Sequence, residues 1–173
     1  MKRRTTLAAL VAAAGLVRTL AAQVPIVSQV ISGPLVVTAT PGTISFSASN
    51  PDAPQVAGTA AATISWWAGG ASSRGWSLTV QADAASFLSC PAIPVSAVTV
   101  SCSQASVGSG GSGVCRSSMP LSTVPSVISS GAEGNQGAFY QVILRFTLTD
   151  SWKYIAQLSP PCSLSLTYVA NLQ

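Results

Sequence analysis

Arg74-Gly75-Trp76-Ser77-Leu78-Thr79-Val80-Gln81 is the stretch that decides the fold. Trp76, Leu78 and Val80 alternate with Ser77, Thr79 and Gln81, the period-two pattern of a strand with one dry and one wet face. Gly75 marks its start and small residues follow its end. On this reading Trp76 and Leu78 are core anchors.

The same period recurs along the chain. Ile44, Phe46 and Ala48 alternate through Ile44–Ser49. In Ala62–Ala68, Ile64 and Trp66 share one face while Ser65 and Trp67 share the other. Val95–Cys102 sets Val95, Ala97 and Thr99 opposite Ser96, Val98 and Val100. Tyr140–Thr149 is the clearest strand, with Tyr140, Val142, Leu144, Phe146 and Leu148 in phase. Ser163–Ala170 places Leu164, Leu166, Tyr168 and Ala170 inward. No sustained helical period appears after the first residues. Short alternating strands separated by turn signals predict an all-β fold, an antiparallel β-sandwich of Ig-like or jelly-roll-like kind.

The turns carry further expectations. Thr40-Pro41-Gly42-Thr43 between Leu35–Ala39 and Ile44–Ser49 predicts a hairpin. Gly69–Gly75 is expected to turn the Ala62–Ala68 strand back into the opening one. Ser103–Ser118 is rich in Gly and Ser and reads as a mobile loop unless Cys115 pins it. Met119–Ile128 contains Pro120 and Pro125, which suit an edge strand or an extended segment. Gly131–Gly137 reads as another loop.

The first residues read as an address. Met1-Lys2-Arg3-Arg4 is a positive region, Leu7–Val17 a short apolar run, and Thr19-Leu20-Ala21-Ala22 a place for cleavage after Ala22. Arg3-Arg4 hints at twin-arginine export, although general secretion fits better. The expectation is therefore a signal peptide over 1–22 and a single β-sandwich domain over 23–173. The apolar run is too short to span a bilayer, so no transmembrane segment is expected after cleavage. The protein is placed outside the cell or at its envelope.

Cleavage changes the electrostatics. The full chain carries eight basic residues and four acids, for a net charge of +4. Lys2, Arg3, Arg4 and Arg18 fall in the leader, leaving Arg74, Arg116, Arg145 and Lys153 to balance Asp52, Asp83, Glu133 and Asp150. A mature chain of zero net charge has no basic stripe for phosphates, which argues against nucleic acid as a partner. Low charge without colloidal repulsion suits a protein held in an envelope or an assembly.

Four cysteines in an exported chain imply two disulfides among Cys90, Cys102, Cys115 and Cys162, with three possible connectivities. The favoured one joins Cys102 to Cys115 across the Gly/Ser-rich loop and Cys90 to Cys162 at the last strand. Zinc is the rival reading, but there is no Cys-x-x-Cys pair and no His.

The inventory also argues against an enzyme. Without His, no Ser-His-Asp or Cys-His arrangement can form. The acids are scattered singly, and Asp52 and Asp150 read as turn residues. No phosphate loop precedes a helix. No catalytic residue, metal ligand or cofactor site is expected. Among the tryptophans, Trp66 and Trp76 are in phase with core residues. Trp67 points away from them and, with Trp152, is a candidate ligand or interface aromatic.

Trp76-x-Leu78, after Arg74-Gly75 and before Phe87 and Ile93-Pro94-Val95-Ser96-Ala97-Val98, resembles the first half of a bacterial WxL-type surface domain. The resemblance covers about Ile64–Val100. Where that family places a second Trp-x-Leu, this chain has Tyr168 and Ala170, and the cysteines are outside the family pattern. The resemblance implies a secreted β-rich protein attached without covalent bonds to the cell wall or to partner surface proteins.

The expected function is a non-catalytic structural or adhesive role at the cell envelope. Its partners would be envelope polymer, other surface proteins, or further copies of itself. Two alternatives come from other features. The apolar lead-in Gln23–Ala39 would complete a neighbour's sheet in a pilin-like filament, and Trp67 or Trp152 would serve a carbohydrate-binding module.

Overall fold

The computed structural model of the chain describes residues 22–30, 35–48, 54–68, 74–135, 137–151, 154 and 161–173. Its strands are β1 (Ala22–Val30), β2 (Val37–Thr40), β3 (Thr43–Ala48), β4 (Gln55–Ala57), β5 (Ala62–Ala68), β6 (Gly75–Ala82) and β7 (Ser86–Phe87). They continue with β8 (Cys90–Pro94), β9 (Val98–Val107), β10 (Val114–Cys115), β11 (Met119–Pro120), β12 (Ser126–Ala132), β13 (Ala138–Thr149) and β14 (Leu164–Leu172). One 3₁₀ turn, Val95–Ala97, leads into β9.

The strands form two main layers. One sheet runs β10-β12-β6-β14-β1-β3, and the other β11-β9-β13-β5-β2 with β4 beside the far half of β13. A small third sheet pairs β7 with β8. Among the described residues, the strand pairings are antiparallel except β1 with β14. The all-β sandwich architecture is as the alternation predicts.

The periodic strands bury the faces their sequences assign. Trp76, Leu78 and Val80 of β6 are buried, as are Ile64 and Trp66 of β5. So are Tyr140, Val142, Leu144, Phe146 and Leu148 of β13, and Leu164, Leu166, Tyr168 and Ala170 of β14. The layers meet at three aromatic rings. Trp66 and Tyr140, in register on β5 and β13, stack at 5.1 Å, and Trp76 approaches them edge-on at 5.5 and 5.7 Å. Edge-to-face contact sets the positive ring edge against the negative ring face, which adds to the area they bury.

Two local expectations are corrected. The Pro41-Gly42 turn does not close a hairpin: β2 pairs with β5 in one sheet and β3 with β1 in the other. The turn, with a cis Thr40–Pro41 bond, takes the chain across the sandwich, and Val37 and Ile44 both reach the shared core. Likewise β5 and β6 belong to opposite sheets rather than to one folded-back pair. The first part of the lead-in, to Val30, lies in strand β1, between β14 and β3.

Ser103–Ser118, read as mobile unless Cys115 pins it, is pinned by the Cys102–Cys115 disulfide, and its first residues are strand. β9 continues to Val107 because β13 offers it an unbroken ladder, with a register shift where Ser103 is the extra residue. The remaining loop is tied down. Trp76 Nε1 donates to the Ser112 carbonyl at 2.9 Å, Ser112 N–H to Ala132 O at 3.1 Å, and Asn135 N–H to Ser109 O at 2.8 Å.

Candidate functional site

Alternation on β5 sends Trp66 and Trp67 to opposite faces. Trp66 enters the core, whereas Trp67 is 66% exposed on the outer face. β13 runs antiparallel beside it and sets Phe139 directly opposite Trp67. The two rings lie 5.1 Å apart with planes tilted by 51°. Phe139 is 37% exposed.

The pair borders a surface depression of about 470 Å³, lined also by Leu35, Val36, Thr38, Ser65 and Trp66. Val36 is 73% exposed just before the edge strand β2. Thr38 Oγ1 reaches both the carbonyl and the hydroxyl of Ser65 at 3.0 Å, so β2 is fastened to β5 under the patch. None of the seven lining residues is charged. Aromatic and aliphatic surface with a few hydroxyls can receive the apolar face of a sugar ring or an apolar strip of another protein. It offers nothing to hold a phosphate or a metal ion.

The other residues singled out in the sequence fall elsewhere. Trp76 and Leu78 belong to the core, at 1% and 0% exposure. β14 lies beside β6 with Ala170 opposite Leu78 and Leu172 opposite Trp76, so the Trp-x-Leu strand and the strand with Tyr168 and Ala170 are hydrogen-bonded neighbours. Trp152, the second nominated aromatic, lies outside the described residues, as do Asp52 and residues 1–21 of the expected leader. β1 begins at Ala22, the residue before the expected cut.

The cysteines pair as favoured. Cys90–Cys162 and Cys102–Cys115 have Cα separations of 5.3 and 5.2 Å. The second joins β9 to β10 and hence one sheet to the other. The first joins the small β7–β8 sheet to the lead-in of β14.

The described acids are spread over the structure. Asp83 accepts a 2.7 Å hydrogen bond from Thr167 Oγ1, and Asp150 accepts one of 2.7 Å from the Ser151 N–H, as a turn residue does. Glu133 is the surprise: it is 1% exposed and neither carboxyl oxygen has a hydrogen-bond partner. Flanked by Gly131, Ala132 and Gly134, it carries no periodic signal that would have marked it as buried. Among the described residues no group of three His, Cys, Asp or Glu comes together to hold a metal ion, and no helix is long and apolar enough to cross a membrane.

No protein-family model, curated protein or solved structure matches the chain.

Proposed function

We propose that the protein is a secreted, non-catalytic β-sandwich that serves a structural and adhesive role at the cell envelope, with the Trp67–Phe139 face as its adhesive surface. The observation that carries this reading is the exposed aromatic pair on a hydrogen-bonded sheet, beside the exposed Val36. Holding such apolar surface in water is unfavourable, and in soluble monomers contiguous patches of this kind mark interaction sites. Two disulfides suit an oxidising compartment. The leader-like first residues and the resemblance to WxL-type domains support the same placement.

The partner on this reading is a wall polymer or an apolar strip of another surface protein. Retention of the mature protein on isolated envelope material tests it, comparing the unaltered chain with Trp67→Ala and Phe139→Ala. Both substitutions are on the outer face, so thermal stability should change by less than about 1 kcal/mol, while retention should fall several-fold. Equal retention of all three proteins would overturn the reading. Retention on purified polysaccharide alone, lost in Trp67→Ala, would identify sugar as the ligand.

A further inference from the structure

Strand β1 differs from every other strand of the sandwich. It is the first strand among the described residues, yet it occupies an interior place in its sheet, between β14 and β3. Its pairing with β14 is parallel, from Ile26 opposite Leu164 to Val30 opposite Tyr168. On its other side it is antiparallel, from Ala22 opposite Ala48 to Val27 opposite Thr43. It also carries Pro25, opposite Ser45, near its middle. Proline has no N–H for a ladder and is normally confined to edges, first positions and bulges. A proline within an interior strand marks a strand that its neighbours hold less completely than the rest.

β14 bounds one side of the place that β1 fills, and β3, an edge strand whose one sheet neighbour among the described residues is β1, bounds the other through its ties to the second layer. β14 is held on its other side by β6 over seven residue pairs, Leu166 to Leu172. β3 is tied to the second layer through the Phe46–Gly58 bridge and the Thr59 N–H donated to Ser45 O at 2.8 Å. Taking β1 away would leave two facing rows of unpaired backbone groups, which recruit a strand from any source that fits. The register also fixes what fits. Val24 and Ile26 stand opposite the buried Phe46 and Ile44, and Ile26, Ser28 and Val30 opposite the buried Leu164, Leu166 and Tyr168. Every second residue of the donor must therefore be small or apolar, and Ala22–Val30, which has no charged residue, meets that demand.

We infer that β1 is exchangeable, and that the slot between β14 and β3 of one copy accepts the β1 residues of the mature chain, Gln23–Val30, from a second copy of this chain. The intramolecular and intermolecular pairings use the same ladder, so chain concentration decides between them. The exchange links copies without any new surface. It is independent of the Trp67–Phe139 face, which is on the opposite sheet.

Two variants of the full mature chain, each with one cysteine added beside the two native disulfides, test this. Gln23 and Ser47 are in register across β1 and β3. Gln23→Cys and Ser47→Cys proteins, mixed at high concentration, incubated and then oxidised, should give a disulfide-linked heterodimer, identified by peptide mapping without reduction. The yield should rise with concentration and exceed several-fold that of a Gln29→Cys plus Ser47→Cys mixture, in which the two sites are out of register. Trp67→Ala introduced into both partners should leave the yield unchanged. No 23–47 cross-link between copies, or equal yields from the two mixtures, would overturn the inference. Circular dichroism of each variant matching that of the unaltered chain shows that either result comes from folded protein.

Discussion

At the scale of single residues, two buried polar groups control stability in ways that exposed ones do not. Burial pushes the Tyr168 hydroxyl well above its ordinary value of 10.0, because the phenolate would be desolvated. The folded chain therefore keeps this proton to higher pH than the unfolded chain does. The stability that follows is complete below about pH 10 and is lost as pH rises from there. Urea midpoints measured from about pH 9 to about pH 11 should fall, and should fall less steeply in Tyr168→Phe, which has no proton to lose. Glu133 presents the second case, a buried carboxyl group with both oxygens unpartnered. A buried polar group without a hydrogen-bond partner is unfavourable, and an amide in the same place would leave its own N–H groups and oxygen equally unpartnered. Glu133→Met, of similar length and with no strong hydrogen-bonding group to satisfy, should therefore raise stability by about 1–3 kcal/mol, read as an increase in Tm. An unchanged or lower Tm would show that the carboxylate is compensated.

At the scale of elements, β6, β5, β13 and β14 were legible because each alternates over most of its length and one face of each is dry. What the alternation does not contain is the sheet to which a strand belongs. Pro41-Gly42 signals a turn equally well for a hairpin and for a crossing between layers. Only the competition of β1 and β5 for the free edges of β3 and β2 separates the two outcomes. β1 was missed because Pro25 interrupts the run Val24–Val27, and its pairing depends on residues some 140 positions away. Ser103–Val107 was missed because its small polar residues earn strand geometry from the β13 ladder and not from their own propensity. Trp67 was legible as exposed from its phase against Trp66, but Phe139 could be joined to it only through the β5–β13 register.

The loop between β9 and β10 depends closely on the absence of a side chain in β12. A Cβ at Gly131 would collide with the carbonyl of Ser112, the same oxygen that accepts the Trp76 indole N–H. Gly131→Ala must displace the loop and stretch or break that hydrogen bond. A loss of about 1–3 kcal/mol is expected, together with a change in the near-ultraviolet dichroism of Trp76. Retention of both signals would mean that the loop yields without cost.

At the scale of the whole molecule, two layers of low charge are joined by few covalent ties, and each disulfide spans a different boundary. Cys102–Cys115 links the two main sheets but closes a sequence separation of only 13, while Cys90–Cys162 closes one of 72. In the chain-entropy account these constrain the unfolded chain by about 3 and about 4 kcal/mol respectively. The Cys90→Ser/Cys162→Ser variant should thus lose more stability than Cys102→Ser/Cys115→Ser. The larger loss also has a local cause, since the same tie seats Leu88 against Ser163 at the entrance to β14, by reciprocal hydrogen bonds of 2.7 and 3.2 Å. β14 is the strand that borders the β1 slot, so loosening its entrance should also loosen β1. Hydrogen exchange offers the check: in the Cys90→Ser/Cys162→Ser variant, protection should fall first in β14 and β1, while β13 and β5 keep theirs. A uniform loss across both sheets would show instead that the sandwich opens as one cooperative unit and that the tie acts only through the unfolded chain.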